Sequence, residues 1–285
     1  MLTRSGNPEA RCKLPAVAVV DQYHLSGAWN FRDVGALRTG DGRAIRPGVL
    51  YRSSELCALD DAGQKNLHAL GITDVIDLRS DSEIAWNGRD VLPAGVTLHV
   101  ASVHDDGQQN APHEPGRAVT PELFEAALEY AYSRFPLLPT GQHALAYTIG
   151  VIAEAPGGVL IHCAAGKDRA GWIVAALLRA TGVREADILA DYLRSNESVE
   201  PLRKHVLARN GDLSQLSDKS LGVHGDFIAA SWRTVDEQFG SFDAYLSQIG
   251  IDAPRVAALR ARLLGETDTP AVNSAKPNDL GAATY

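Results

Sequence analysis

Short apolar runs alternate with amphipathic stretches through most of the chain. Short aliphatic runs bounded by turn-forming residues are typical of buried strands, and they occur at residues 49–52, 74–78, 97–102 and 159–162. Apolar positions spaced as on one helix face occur at residues 60–70, from 120 onward, and at 141–155, 170–181, 185–195, 199–207, 226–239, 242–249 and 253–264. This alternation predicts an α/β fold with a largely parallel central sheet flanked by helices.

The pattern also predicts how the chain divides. We expect residues 1–22 to be a disordered leader and residues 266–285, which are polar and rich in Pro and Ala, to be a disordered tail. One domain then covers residues 23–265. Its helical stretch at about 201–239 follows the core units, so we expect an appended helical lid there. Residues 105–121 are rich in Asp, Gly, Gln, Asn and Pro and predict a long surface loop.

Composition narrows the possible functions. The 285 residues carry a formal net charge of −8, which argues against a nucleic-acid partner. No apolar run approaches the roughly 18 residues of a membrane span, and the N-terminus shows no signal-peptide pattern. We therefore expect no stable membrane association and a cytoplasmic protein, with export without a signal peptide as the alternative. Cys12, Cys57 and Cys163 are odd in number and far apart, which favours one reactive thiol over a disulfide framework.

The strongest chemical signal surrounds Cys163. An apolar strand leads into this cysteine, and an apolar helix follows Arg169. A loop of this length between a strand and a helix can curl until its N–H groups converge on one centre, where the helix N-terminus adds partial positive charge. Arg169 offers a planar fork for two phosphate oxygens. Such a field favours the Cys163 thiolate, so the stretch predicts phosphoryl transfer to cysteine.

The residues of this loop are the candidate substrate-binding groups. We expect its backbone and the first helical residue beyond Arg169 to line the anion site: Ala164, Ala165, Gly166, Lys167, Asp168 and Ala170. Lys167 adds a second cation, which would widen recognition to substrates with extra negative charge. His162 is expected to be a hydrogen-bonded structural residue that helps to hold the thiolate. No histidine shows metal-ligand spacing, so we expect neither a metal nor a cofactor.

A general acid must protonate the leaving oxygen in such a reaction. Asp105 and Asp106 follow the predicted strand 97–102, so either could stand above the loop. Asp77 ends another predicted strand, and Asp168 lies in the loop itself. The residues alone do not decide which of these four carboxyl groups is the general acid.

The motif His162-Cys163-x-x-Gly166-Lys167-Asp168-Arg169-x-Gly171 resembles the signature of atypical bacterial protein tyrosine phosphatases. Further stretches carry the resemblance at residues 27–33, 52–56, 71–75, 77–80 and 191–196. It implies a phosphatase α/β domain with a helical lid, active on phosphotyrosine and often on phosphoserine/threonine and phosphoinositides. It links the Lys167-Asp168 pair to lipid phosphates, and it places the acid just after strand 97–102, which selects Asp105.

Ala170 departs from the family pattern. The family usually has Ser or Thr directly after the loop arginine, and that hydroxyl donates to the cysteine sulfur when water attacks phosphocysteine. Losing such a hydrogen bond costs on the order of 1–3 kcal/mol. We therefore expect slower turnover in the second step and unchanged phosphate binding.

Other functions fit the same loop. A dedicated phosphatase for a nucleotide, sugar phosphate or inositol phosphate would use the same groups, so the partner is either a phosphorylated protein or a small phosphate ester. A phosphate-binding module without activity is a lesser alternative, motivated by Ala170. A sulfurtransferase is weaker still, because its reactive loops tend to be shorter or to lack the Gly-Lys-Asp-Arg sequence.

Overall fold

A mixed five-stranded sheet forms the centre of the protein in the part of the chain described by the computed structural model, residues 25–104, 120–208 and 216–265. The strands are β1 (Arg32–Asp33), β2 (Leu50–Ser53), β3 (Ile72–Asp77), β4 (Thr97–Val100) and β5 (Gly158–His162). Their spatial order is β1-β2-β5-β3-β4. Only the β1–β2 pairing is antiparallel among these strands. The expected α/β fold with a largely parallel sheet is confirmed.

Helices follow most strands and cover the sheet. They are α1 (Asp61–Ala69), α2 (Asp81–Asn87), α3 (Pro121–Arg134), α4 (Pro139–Glu154), α5 (Arg169–Thr181), α6 (Glu185–Leu193), α7 (Val199–Ala208), α8 (Asp218–Leu221), α9 (Gly225–Phe239), α10 (Phe242–Gln248) and α11 (Ala253–Leu263). A short 3₁₀ helix, Arg194–Ser198, joins α6 to α7. No helix among the described residues is both long enough and apolar enough to cross a membrane.

The sheet is apolar on both faces, as expected for parallel strands covered by helices. Along β5, Val159 and Ile161 belong to a large cluster that also includes residues of α3, α4, α5 and α9. Leu160, between them, belongs to a smaller cluster with Leu67 of α1. Successive side chains of a strand point to opposite faces, so these two clusters are the two sides of the core.

The sequence prediction missed the edge strand β1 and the helix α2. Strand β1 is two residues long, which is too short to show a period. Helix α2 has few apolar residues, and Trp86 on it is 73% exposed, so no apolar face marks it. Its signal is a capping box: Ser80 accepts from the Glu83 N–H while the Glu83 side chain accepts from the Ser80 N–H.

The appended helices α7, α8 and α9 fall within the segment predicted to be a lid. Residues 209–215 lie outside the described part, and the lid stays a prediction. The predicted leader and tail and nearly all of the predicted long loop also lie outside it, at residues 1–24, 266–285 and 105–119. Because β2, β3, β4 and β5 are parallel, their carboxyl ends meet at one edge of the sheet, where ligands of such folds bind. Cys163 follows β5 at that edge.

Candidate active site

The loop from Cys163 to Asp168 lies between the end of β5 and the start of α5, as the sequence predicted. Every residue of β5 is buried, and Cys163 is 2% exposed. Gly166 has a φ of +67°, and a Cβ there would lie 2.1 Å from the Ser53 carbonyl oxygen. Only glycine adopts this conformation readily and leaves that space. The loop therefore passes directly against the end of β2.

Residues that flank β1 and β2 hold the carbonyl groups of Ala164 and Ala165. The Glu55 N–H donates to the Ala164 oxygen at 3.1 Å. The Asn30 side-chain amide donates to the Ala165 oxygen, also at 3.1 Å. Asn30 has a positive φ of 53°, a conformation that Asn tolerates better than most residues. These contacts fix the direction of two peptide groups.

The next two carbonyls are held by Arg52 of β2. Its Nη2 donates to the Gly166 oxygen at 2.8 Å and to the Lys167 oxygen at 3.3 Å. Its Nη1 binds the Asp191 carboxylate at 2.9 Å. Arg52 is fully buried, so protein contacts alone fix the direction of its guanidinium group.

This anchoring decides where the loop amides point. In a planar trans peptide, the C=O of one residue and the N–H of the next point in opposite directions. Because the carbonyl groups of residues 164–167 are drawn toward their anchors, the N–H groups of residues 165–168, which follow them, point away. Within the described residues, the N–H groups of residues 165–167 donate to no protein acceptor. Together with the N-terminus of α5, they form a ready site for an anion.

A buried carboxylate, Asp191 of α6, supports the anchor. It accepts from Arg52 and, at 2.8 Å, from the Nε of Arg32 on β1. Burial raises the pKa of Asp191, but the two guanidinium groups outweigh it and the net direction is down. Burial likewise lowers the pKa of Arg32, to about 10. Both groups therefore stay charged near neutral pH, and the stretches 27–33, 52–56 and 191–196 meet behind the loop.

Arg169 is held by Glu83 of α2, which sequence reasoning missed. Its Nη1 and Nη2 donate to the two Glu83 oxygens at 2.6 Å each. Burial would lower the pKa of Arg169, but Glu83 raises it more, and the nearby Cys163 and Asp168 add to that rise. The guanidinium is therefore permanently charged beside Cys163. The Ser80–Glu83 capping box was the signal that could have located this helix.

His162, directly before Cys163, has hydrogen-bond acceptors next to both ring nitrogens. Its Nε2 lies 2.8 Å from the Asp90 carboxylate and its Nδ1 lies 3.2 Å from the Cys163 carbonyl oxygen. Both neighbours are acceptors, so both nitrogens must donate. Burial lowers the pKa of His162, but Asp77 and Asp90 raise it further and the net direction is up. His162 is buried and hydrogen-bonded, as the sequence analysis expected of a structural residue.

Asp77 is poorly placed for the role of general acid. It is 1% exposed and binds Arg79 through both oxygens, at 2.8 to 3.1 Å. Asp77, Asp90 and His162 have ligand atoms within 4.8 Å of one another, a grouping that could hold a metal ion. Arg79 also binds Asp90 at 2.9 Å, so its guanidinium already balances both carboxylates.

Of the remaining predicted residues, three belong to the described part of the chain and two do not. The Lys167 ammonium lies 2.9 Å from both oxygens of Asp168, and both side chains are nearly buried. Ala170 is fully buried in the first turn of α5. Asp105 and Asp106 fall outside the described residues, so their position above the loop stays a prediction.

Comparisons with known proteins agree with this geometry. A model of the tyrosine phosphatase family matches residues 23–265. The triple specificity protein phosphatase PtpB of Mycobacterium tuberculosis is 40% identical over 276 residues, covering 85% of this chain and 98% of that protein. A tyrosine-protein phosphatase homologue from Cupriavidus necator is 32% identical over 270 residues, covering 88% of this chain and 92% of that protein.

Among solved structures, the crystal structure of P. aeruginosa TpbA matches with 20% identity and a TM-score of 0.28, covering 68% of this chain and 91% of that one. A likeness at that TM-score adds nothing to the argument. The chain belongs to the tyrosine phosphatase family. The expectation of a phosphatase of this type, made from the loop motif, is confirmed.

The carbonyl anchor predicts a difference between two equally buried arginines. Arg52→Lys and Arg32→Lys both weaken the Asp191 ion pair, and we expect each to lose about 1–3 kcal/mol of unfolding free energy. Of these two arginines, only Arg52 donates directly to the loop carbonyls, whereas Arg32 touches the loop only through Asn30. We therefore expect Arg52→Lys to weaken binding of inorganic phosphate by about tenfold, and by more than Arg32→Lys does, measured by calorimetry. Equal phosphate affinities in the two variants would contradict the anchoring argument.

The raised pKa of His162 predicts a pH-dependent stability. Because the pKa of His162 is raised by folding, its contribution is fully present below its ordinary value of about 6.5 and is lost as pH rises through the raised value. The unfolding free energy of the wild type minus that of His162→Gln should therefore shrink above about pH 6.5. Denaturant unfolding at a series of pH values measures it. A difference that stays constant or grows with pH would refute the charged imidazole.

Proposed function

We propose that the protein is a cysteine-dependent phosphomonoesterase that acts on phosphotyrosine through a phosphocysteine intermediate. Phosphoserine/threonine and phosphoinositides are further substrate classes of the proposal. The observation that carries it is the loop in which carbonyls 164–167 are held back, the N–H groups of residues 165–167 donate to no protein acceptor among the described residues, and Cys163 lies beside Arg169.

In the first step, the Cys163 thiolate attacks phosphorus and forms a P–S bond while the ester P–O bond breaks. The loop N–H groups and Arg169 bind the oxygens that gain charge in the transition state. Glu83 fixes the guanidinium fork by two hydrogen bonds of 2.6 Å. The leaving oxygen takes a proton from a carboxyl group, for which we propose Asp105.

In the second step, water attacks phosphorus and gives a proton to the carboxylate left by the first step, while the P–S bond breaks and inorganic phosphate leaves. The bond cleavage restores the Cys163 thiolate, next to Arg169. Lys167, held by Asp168 on the loop, is proposed to bind additional negative charge on a substrate. That role would extend the substrate range beyond phosphotyrosine.

The nucleophile is tested by comparing the two described cysteines. We expect Cys163→Ser to lower hydrolysis of an aryl phosphate at least about 1000-fold, while Cys57→Ser keeps wild-type activity. Acid quenching during turnover should trap phosphate on the wild type and not on Cys163→Ser. Activity retained by Cys163→Ser would sink the proposal. Comparing phosphotyrosine, phosphoserine, phosphoinositide, nucleotide and sugar phosphate substrates then defines the substrate class.

The alanine at position 170 leads us to expect that the second step, hydrolysis of phosphocysteine, is the slower one. A hydroxyl one residue after Arg169 would donate to the departing sulfur, and Ala170 supplies none. We expect a rapid burst of released alcohol followed by slow turnover, and a several-fold faster second step in Ala170→Ser or Ala170→Thr. Serine is the smaller change at this fully buried position. A wild type without a burst, together with variants no faster, would refute this expectation.

A further inference from the structure

A chain of buried hydroxyl groups leads from the helices to the loop carboxylate Asp168. Tyr192 of α6 donates to the hydroxyl of Tyr132 on α3 at 2.7 Å. Tyr132 donates in turn to Asp168 Oδ1 at 3.1 Å. Both tyrosines are at most 1% exposed. The sequence analysis assigned no role to either residue.

The position of Tyr132 is fixed by its surroundings. Its ring packs on Phe135 and stacks on Phe227 of α9, with centroids 5.1 and 5.6 Å apart. Its backbone carbonyl accepts from Ser231 of α9 at 2.7 Å. Burial, the charge of Asp168 and the contact with Tyr192 all raise the pKa of Tyr132 well above its ordinary value. The phenol therefore remains a protonated donor, aimed at one carboxylate oxygen.

Lys167 and Tyr132 are donors of different kinds to Asp168. The Lys167 ammonium contacts both of its oxygens at 2.9 Å, and the Tyr132 phenol contacts Oδ1. The ammonium is at the end of a flexible side chain, whereas the phenol is held in a packed aromatic cluster. A buried carboxylate that loses a donor is costly. If Lys167 turns toward an anion on a substrate, the phenol still holds the carboxylate.

We propose that Tyr132 is a positioning residue that holds Asp168 in place, so that Lys167 can bind a second anionic group on the ligand. This inference rests on the proposed function of the loop as a phosphate site. Tyr132 lowers the cost of drawing Lys167 away from Asp168, and it thereby favours ligands with two anionic groups over those with one. Tyr192 supports Tyr132 and has the same effect more weakly.

The test compares inorganic phosphate with inorganic pyrophosphate, each titrated into the full-length protein by calorimetry. For the wild type we expect tighter binding of pyrophosphate than of phosphate. For Tyr132→Phe we expect the ratio of the two affinities to fall by about tenfold, with phosphate affinity changed less than about twofold. Tyr192→Phe should lower the ratio less.

Tyr245→Phe is the matched control. Tyr245 is a fully buried tyrosine on α10 whose hydroxyl has no hydrogen-bond partner among the described residues. Its substitution removes the same atom from the core and should leave the ratio unchanged. Tyr132→Phe that lowers both affinities by the same factor, or neither, would overturn the inference. So would a wild type without a preference for pyrophosphate.

A double variant tests whether Tyr132 acts through Asp168. Asp168→Asn removes the carboxylate that Tyr132 is proposed to hold. Adding Tyr132→Phe to Asp168→Asn should therefore leave the pyrophosphate-to-phosphate ratio where Asp168→Asn alone puts it. A further tenfold fall in the double variant would mean that Tyr132 acts by another route.

The two proposals fail in different ways. Aryl phosphate hydrolysis by the wild type and its loss in Cys163→Ser test the proposed function and do not depend on Tyr132. A wild type that hydrolyses the ester, with identical affinity ratios in the wild type and in Tyr132→Phe, overturns the positioning role alone. A wild type that binds both anions with the expected ratios and hydrolyses no ester overturns the proposed function alone.

Discussion

The site depends on a constraint behind the loop: its carbonyls are held by groups of the sheet edge, and one buried carboxylate holds the key arginine. Arg52 binds the Gly166 and Lys167 oxygens through one end of its guanidinium group while Asp191 holds the other end. A free loop of this sequence would turn its peptide groups at random and pay conformational entropy on binding an anion. Here the fold has already oriented them, which is the preorganisation that anion binding and transition-state stabilisation require.

The charges around the loop are arranged in pairs. Each buried cation has a carboxylate partner: Arg52 with Asp191, Arg169 with Glu83, and Lys167 with Asp168. This pairing lets an acidic chain, of net charge −8, bury several cations without leaving any charge isolated.

The sequence predicted the parts of the site that lie close together in the chain. Cys163 and Arg169 bracket one loop between a strand and a helix, and local spacing revealed both. The groups that hold the loop were beyond such reasoning, since Asn30 contacts a carbonyl 135 positions away and Arg52 pairs with a residue 139 positions away. Glu83 was missed because α2 has no apolar face, although its capping box marks it. Tertiary packing alone brings these residues together.

The central claim is that the N–H groups of residues 165–167 bind the anion. Two-dimensional ¹H–¹⁵N NMR of the wild type, titrated with inorganic phosphate, measures this directly. The account predicts that these amide protons move downfield together along one saturating curve, because each gains a charge-assisted hydrogen bond. Amide signals of residues 165–167 that do not move while phosphate binds elsewhere on the protein would contradict it.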